Sequence, residues 1–240
     1  MKIVRNVLLI ILAIILITGI TLFVLGNNMY KEALGDQTLE EVIEDIQLDP
    51  SYVQYEDLPQ NYINAVIAVE DHRYRDHGAI DIIAIGRALY VNITTMSLRE
   101  GGSTIAQQVA KNIFYIEEDR PIVRKIAEII TAFDLENKYS KDDIVELYVN
   151  TIYFGDGYYG IAEACQGYLG KSSTEMTLAD CTMMAGVPNA PSVYAPTVNP
   201  DLTRSRQEKV ISDMQEYGYL SESDANDLLD SLDEYYEQFN

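Results

Sequence analysis

Residues 101–112 of this 240-residue chain read GGSTIAQQVAKN. Two glycines precede Ser103 and Thr104, either of which can cap the N-terminus of a helix. Backbone N–H groups at such a glycine-flanked helix start can approach an anion closely. Gln107 and Lys111 are four residues apart, so a helix places them on the same face. The segment therefore suits a pyrophosphate, although taken alone it also fits a capped helix with a solvated lysine.

A pair of carboxylates precedes this segment. Residues 70–78 read EDHRYRDHG and follow the apolar stretch 62–69, which predicts a buried helix. A carboxyl group in apolar surroundings can have a raised pKa and can serve as a general acid or base. Glu70 is therefore a candidate catalytic residue, although an acidic residue at the end of a helix is also ordinary.

A third charged cluster, RKIAE, occupies residues 124–128. On a helix, Glu128 faces Arg124 at i+4 and Lys125 at i+3. These contacts could be surface ion pairs, each worth less than about 1 kcal/mol. Alternatively, the carboxylate is held among cations that also bind phosphate.

The rest of the chain from residue 61 onward is predominantly helical in pattern, so the predicted fold is mainly α. Strand signals are scarce, with one short strand predicted around residues 52–55 and a glycine- and tyrosine-rich loop at 153–160. Further helices are predicted over residues 80–91, 103–112, 122–138, 144–150, 161–168 and 178–186, and an acidic helical pair closes the chain.

The N-terminus predicts a membrane anchor. Residues 7–25 carry no charge, and as a helix they would extend over about 28 Å, enough to cross a bilayer. The run is longer than the apolar region of a cleaved signal peptide. Lys2 and Arg5 precede it, so the N-terminus is predicted inside and everything after Leu25 outside the cytoplasmic membrane.

Composition excludes one broad class of function. The formal net charge of −21 argues against a nucleic-acid partner, because such proteins need positive surface over the phosphates. Cys165 and Cys181 are the two cysteines, and no Cys/His spacing suggests zinc. A disulfide between them is open, but two small buried thiols are favoured.

Four motifs occur together in this order: Glu-Asp-x-x-Tyr-x-x-His-Gly, Gly-Gly-Ser-Thr-Ile-x-Gln-Gln-x-x-Lys-Asn, Arg-Lys-x-x-Glu and Lys-x-x-Ile-x-Glu-x-Tyr-x-Asn. They resemble the signature motifs of the peptidoglycan glycosyltransferases, glycosyltransferase family 51, the transglycosylase domain of penicillin-binding proteins. The similarity covers about residues 58–199. Tyr74 replaces a more usual phenylalanine, and no departure touches a proposed catalytic group. Ser-x-x-Lys followed by Lys-Thr-Gly does not occur, so a monofunctional enzyme without a transpeptidase domain is expected.

This resemblance implies a lysozyme-like, two-lobed glycosyltransferase domain, mostly helical and preceded by one transmembrane helix. The smaller lobe should include residues 80–93 and should touch the membrane. The predicted organisation is a cytoplasmic N-terminus at 1–6, a transmembrane anchor at 7–25, a connector at 26–57, the glycosyltransferase domain at 58–200 and an acidic helical extension at 201–240, to which the sequence assigns no function.

The resemblance also implies the reaction and its residues. The substrate would be lipid II, which is polymerised into glycan strands with release of undecaprenyl pyrophosphate. Glu70 would be the general base that deprotonates the acceptor 4-hydroxyl. Glu128 would be the second catalytic glutamate, orienting cations or helping to hold a divalent cation (Mg or Mn). The predicted substrate-binding residues are Ser103, Thr104, Gln107, Gln108, Lys111, Asn112, Arg124 and Lys125.

No organic cofactor is expected. The expected partners are lipid II, the growing glycan strand and membrane lipid, with other cell-wall synthesis or division proteins left open. Glu146 and Asn150 are expected to support the scaffold. Two rival functions remain: a lysozyme-like enzyme that cleaves glycan, and a catalytically silent membrane scaffold for wall assembly. The cations of the RKIAE cluster argue against cleavage, because an unphosphorylated glycan needs no group that binds pyrophosphate.

Overall fold

The computed structural model describes residues 2–96 and 101–239, and the fold is mainly α, as predicted. Two short strands, β1 (Tyr153–Gly155) and β2 (Tyr158–Tyr159), form an antiparallel hairpin. The helices are α1 (Lys2–Leu34), α2 (Leu39–Gln47), α3 (Gln60–Glu70), α4 (Ile82–Thr95), α5 (Ile105–Phe114), α6 (Pro121–Lys138), α7 (Lys141–Thr151), α8 (Ile161–Leu169), α9 (Leu178–Gly186), α10 (Pro191–Tyr194), α11 (Pro200–Glu216) and α12 (Glu222–Tyr236).

The ends of the site-bearing helices follow their sequence signals. The Thr104 hydroxyl accepts a hydrogen bond from Gln107 N and starts α5, as predicted. Ser140 and Asp143 form a reciprocal capping box at the start of α7. Pro121 occupies the first turn of α6, where its missing N–H costs nothing. Local chemistry therefore fixes where these helices begin.

The core brings the site-bearing helices together. α3 packs against α9 and α11, while α5 packs against α6 and α7. The largest fully buried side chains include Tyr62 on α3, Tyr148 on α7 and Phe154 on β1. Val210 and Leu232 are also completely buried, so α11 and α12 belong to the same core. As a result, the last residue of α3 and the first turns of α5 and α6 lie around one cleft.

The predicted strand at residues 52–55 is wrong. A single 3₁₀ turn begins at Tyr55, and the preceding backbone is bonded by side chains of α7. Val53 N donates to Asn150 Oδ1 at 2.8 Å, and Tyr55 N donates to Glu146 Oε2 at 2.6 Å. The segment is extended because these side chains satisfy the polar groups of its backbone. In a β-sheet a neighbouring strand would satisfy them. Glu146 and Asn150 thus support the scaffold, as predicted.

The loop predicted at residues 153–160 contains the β1–β2 hairpin. Asp156 (φ 51°) and Gly157 (φ 88°) occupy the turn, and both have positive φ. An Asp-Gly pair with this backbone is the preferred two-residue connection between antiparallel strands. The strands are too short for the sequence pattern to reveal them.

α1 extends nine residues beyond the predicted anchor, from Gly26 to Leu34, and packs onto α6. Gly26 lies against Ile126, Met29 is buried, and the Tyr30 hydroxyl donates to Asp134 Oδ2 at 2.5 Å. The apolar part of α1 is exposed throughout and is long enough to cross a membrane. A helix with the dimensions of a membrane anchor therefore continues without a break into the segment that packs on α6, the helix that carries Glu128.

We expect substitution of Gly26 by leucine to destabilise this packing. A Cβ at Gly26 would lie 2.6 Å from Ile126 Cγ2 and 3.2 Å from Ala127 N, so the two helices would have to separate. Overpacking of this kind costs about 1–3 kcal/mol, and each kcal/mol lowers the Tm of a domain this size by about 2–4 °C. Thermal unfolding of the detergent-solubilised chain measures the shift.

Gly19→Leu on the same helix is the matched control. A Cβ at Gly19 has nothing within 4 Å, so this variant should unfold at the wild-type temperature. Equal Tm values for Gly26→Leu and wild type would show that α1 does not dock on α6.

α4 carries an apolar face without a partner in the described residues. Ala88 is buried, but Ile82 and Ile93 are 79% and 65% exposed, and Ile83, Leu89 and Tyr90 are exposed with them. The Asp81 carboxylate caps this helix through Ile83 N and Ala84 N and pairs with Arg73 at 3.0 Å. A contiguous exposed apolar surface of this kind is typical of a protein or membrane contact.

Candidate active site

One cleft of about 510 Å³ collects most of the predicted site residues. Its lining combines the end of α3, one face of α5 and the first turns of α6 with loop residues on the opposite side. The predicted residues that line it are Glu70, Ser103, Gln107, Gln108, Lys111, Asn112, Lys125 and Glu128. The lining residues that sequence reasoning did not assign to the site include Ile152, Tyr153, Pro188, Asn189 and Pro191.

Glu70 is the last residue of α3, and its side chain is 11% exposed. Oε2 accepts a hydrogen bond from Gln108 Nε2 at 2.8 Å, whereas Oε1 has no hydrogen-bond donor among the described residues. Burial is the main cause that raises the pKa of this carboxyl, while the Gln108 hydrogen bond and the charge of Arg206 oppose the rise. Glu70 thus borders the cleft as a buried carboxylate, with one oxygen unpaired and enclosed by the protein.

Glu128 lies on α6, and its side chain is 5% exposed. Oε1 is 3.3 Å from Arg124 Nε, and Oε2 is 2.9 Å from Lys125 Nζ. Lys125 Nζ also donates to Ser103 Oγ at 2.8 Å, which links α6 to the turn before α5. The carboxylate thus orients two cations, the geometry expected from the i+3 and i+4 spacing.

The other cation of the cleft is Lys111, which is exposed. Its side chain forms no ion pair or hydrogen bond with any described residue. Next to it, the side-chain nitrogen Nδ2 of Asn112 is buried and has no hydrogen-bond acceptor among the described residues. The exposed ammonium group of Lys111 is therefore available to a bound anion.

Thr104 and Gln107 have a different environment from the one predicted for substrate-binding residues. Thr104 is 1% exposed, caps α5 and donates to Ala79 O at 3.1 Å. Gln107 borders the cleft, but its Nε2 donates to the same carbonyl at 2.8 Å. Both side chains fix the start of α5 against residue 79.

Arg124 reaches the cleft through Glu128. Its Nη1 donates to the carbonyl of Glu118 at 3.1 Å, and its Nε faces Glu128 Oε1. The guanidinium is therefore shared between the carboxylate and the loop before α6. Lys125 and Lys111 are the predicted cations that line the cleft itself.

Asp71 connects α3 to α5. Its Oδ1 is 2.7 Å from His77 Nε2, and its Oδ2 accepts a hydrogen bond from Ile105 N at 3.2 Å. Potential metal-ligand atoms of Asp71, His77 and Asp81 lie within 4.8 Å of one another, but protein donors already engage both oxygens of each carboxylate. The cluster thus has a structural role, because Asp71 fixes the start of α5 beside Glu70.

The surroundings of Glu128 do not suit a divalent cation. Both carboxylate oxygens face cationic side chains, and a metal bound there would replace these favourable contacts with repulsion.

A sequence model of the transglycosylase family matches residues 37–215. This chain belongs to the transglycosylase family. The family predicted from the motifs is confirmed, and with it the enzyme class. Among its relatives, penicillin-binding protein 1F of Bacillus subtilis is 40% identical over 190 residues, which are 79% of this chain and 26% of that protein. A transglycosylase of Cupriavidus necator is 41% identical over 180 residues, 75% of this chain and 77% of the relative.

The transglycosylase chain spans about a quarter of the length of penicillin-binding protein 1F. A crystal structure of penicillin-binding protein 1A from Haemophilus influenzae also matches, with a TM-score of 0.45 and 24% identity over 74% of this chain and 17% of that one. The matched region of the family includes α11, which carries Arg206. Sequence reasoning missed Arg206, although the cluster of bases Arg204, Arg206 and Lys209 at the start of the acidic C-terminal segment is a usable signal.

Proposed function

We propose that this transglycosylase polymerises lipid II into linear β-1,4 glycan strands and releases undecaprenyl pyrophosphate. The observation that carries the proposal is the buried Glu70 carboxylate, which borders a cleft lined by Lys111 and Lys125. A base and an anion-binding surface in one cleft suit the transfer of a sugar from a pyrophosphate.

In the proposed reaction, the Glu70 carboxylate accepts the proton of the acceptor 4-hydroxyl. The resulting oxygen nucleophile attacks the anomeric carbon of the donor, which is the growing strand. The bond between that carbon and the pyrophosphate oxygen breaks, and the configuration inverts from α to β. Pyrophosphate is a good leaving group, so it needs charge stabilisation more than protonation, and Lys111 and Lys125 supply positive charge. Glu70 then releases its proton to solvent.

The surroundings of Glu70 favour a base role. Because burial raises the pKa of the carboxyl, the ionised form is a stronger base than an exposed glutamate. Gln108 holds Oε2 and so fixes the orientation of the carboxylate beside the cleft. A cleaving enzyme would instead use a protonated glutamate as acid, and its neutral glycan substrate would leave the cations without a role.

The membrane arrangement belongs to the same proposal. α1 anchors the chain with the N-terminus inside and the catalytic domain outside, and the exposed apolar face of α4 contacts the outer leaflet. Lipid II carries its tail in that leaflet, so enzyme and substrate share one surface and meet more often than in solution.

Polymerisation of purified lipid II by the full chain in detergent tests the proposal, with Mg²⁺, Mn²⁺ and a chelator compared. Glycan strands together with undecaprenyl pyrophosphate are the expected products. Breakdown of preformed glycan without polymer would identify a lysozyme-like enzyme. Neither activity from a folded chain under all conditions would indicate a catalytically silent scaffold.

A further inference from the structure

Arg206 approaches Glu70 from α11, a helix for which the sequence suggested no function. Its Nη2 lies 4.0 Å from Glu70 Oε1, the oxygen without a hydrogen-bond donor, and the two side chains are 15% and 11% exposed. Gln108 holds the other oxygen at 2.8 Å. The carboxylate therefore has an amide at one oxygen and a guanidinium near the other.

The guanidinium of Arg206 is itself held in place. Its Nε donates to the carbonyl of Gly186 at 3.4 Å, and its Cζ lies 6.0 Å from the ring centroid of Tyr194. A Cβ at Gly186 would lie 3.0 Å from Arg206 Cγ, so the end of α9 leaves room for the arginine. An arginine fixed by a carbonyl and an aromatic ring loses less side-chain entropy when it pairs with a carboxylate.

Three features around Glu70 disfavour its charged form. The side chain is largely buried, Asp71 is its neighbour, and Glu70 is the last residue of α3, where the helix dipole places partial negative charge. A nearby cation offsets these effects. At 4.0 Å the guanidinium supplies its charge without a direct hydrogen bond to the carboxylate.

We infer that Arg206 is a positioning residue for Glu70, which holds the carboxylate ionised and fixes its orientation beside the cleft. The inference rests on the proposed function of Glu70 as a base. It also gives α11 a role in the chemistry of a site built mainly from α3, α5 and α6.

Other ionisable groups around Glu70 define what the test must separate. Asp71 adjoins it, while Tyr62 and Tyr148 are buried near it and have raised pKa values because of burial, so both stay neutral near pH 7. Across the cleft lie Lys111, Lys125 and Glu128, which the substitutions below leave unchanged.

The first readout is the pH profile of kcat for lipid II polymerisation by wild type, Arg206→Met and Arg206→Lys. Without the positive charge the pKa of Glu70 rises, so the acid limb of the profile should move up by about one pH unit. Below both midpoints the rate of Arg206→Met should be about tenfold lower than that of wild type. At alkaline pH it should approach the wild-type rate. Arg206→Lys keeps the positive charge, so its acid limb should lie close to that of wild type. An equal loss at every pH would assign Arg206 a merely structural role and overturn the inference.

A second readout does not depend on activity. Glutamate Cδ is labelled with ¹³C, and the NMR signal of Glu70 is identified as the one missing from Glu70→Gln. Its titration midpoint should be higher in Arg206→Met than in wild type. Arg204→Met is the matched control, because Arg204 lies on the same helix but pairs with Glu208 and Asp233. An unchanged Glu70 midpoint in Arg206→Met overturns the inference, whereas an inactive wild type overturns the proposed function.

Discussion

Glu70→Gln should lower the rate of lipid II polymerisation by about 10²–10⁴-fold, the range typical of a lost general base. The amide has nearly the same size as the carboxyl group, and its oxygen can keep the hydrogen bond that Gln108 Nε2 now donates to Oε2. It has no basic atom for the proton of the acceptor hydroxyl. The measurement is the initial rate of strand formation at several lipid II concentrations, so that kcat and KM are separated.

The loss should lie in kcat with little change in KM, because Glu70 acts on a proton that moves only during the reaction. Glu56→Gln is the matched control, since Glu56 is exposed in the 3₁₀ turn before α3, and it should keep the wild-type rate. Wild-type kcat in Glu70→Gln would remove Glu70 from the base role.

The parts of the site that could be predicted depend on local geometry. Glu128 meets Arg124 and Lys125 because positions three and four apart on a helix are neighbours, whatever the rest of the fold does. The cap at Thr104 and the proline start of α6 are equally local. Each of these features needs only a few consecutive residues.

The parts that could not be predicted depend on contacts between distant segments. Arg206 approaches Glu70 because α11 packs on α3. The residue pattern of neither helix predicts that these two side chains meet. Thr104 and Gln107 have the right residue types to bind substrate, yet both bond to the carbonyl of Ala79, a tertiary partner. Polarity alone does not distinguish a side chain that binds a ligand from one that bonds the backbone.

The continuation of α1 past residue 25 has a similar cause. The sequence GNNMYKEAL at 26–34 includes residues of low helix propensity, so it suggested a connector. In the fold, Gly26 allows close approach to Ile126, and Tyr30 bonds Asp134. Tertiary packing on α6 therefore overrides local propensity in this segment.

Lys111→Met should lower kcat/KM for lipid II by about 10²–10³-fold, the loss that follows removal of one group that stabilises developing charge. Lys125 Nζ already bonds Glu128 and Ser103, whereas the ammonium group of Lys111 forms no hydrogen bond or ion pair with the described residues. Its full charge is thus available to the pyrophosphate as the glycosidic carbon–oxygen bond breaks. Steady-state rates across lipid II concentrations measure the loss.

Two variants decide whether charge in the cleft is the cause. Lys111→Arg keeps the charge and should retain more activity than Lys111→Met. Lys138→Met removes a lysine at the far end of α6, where it pairs with Glu40 and Asp134, and should leave kcat/KM near wild type. If Lys111→Met loses no more activity than Lys138→Met, the leaving group is stabilised elsewhere. If only Lys111→Met loses kcat/KM, Lys111 stabilises the departing pyrophosphate, since its charge is unpaired by the described residues of the free enzyme.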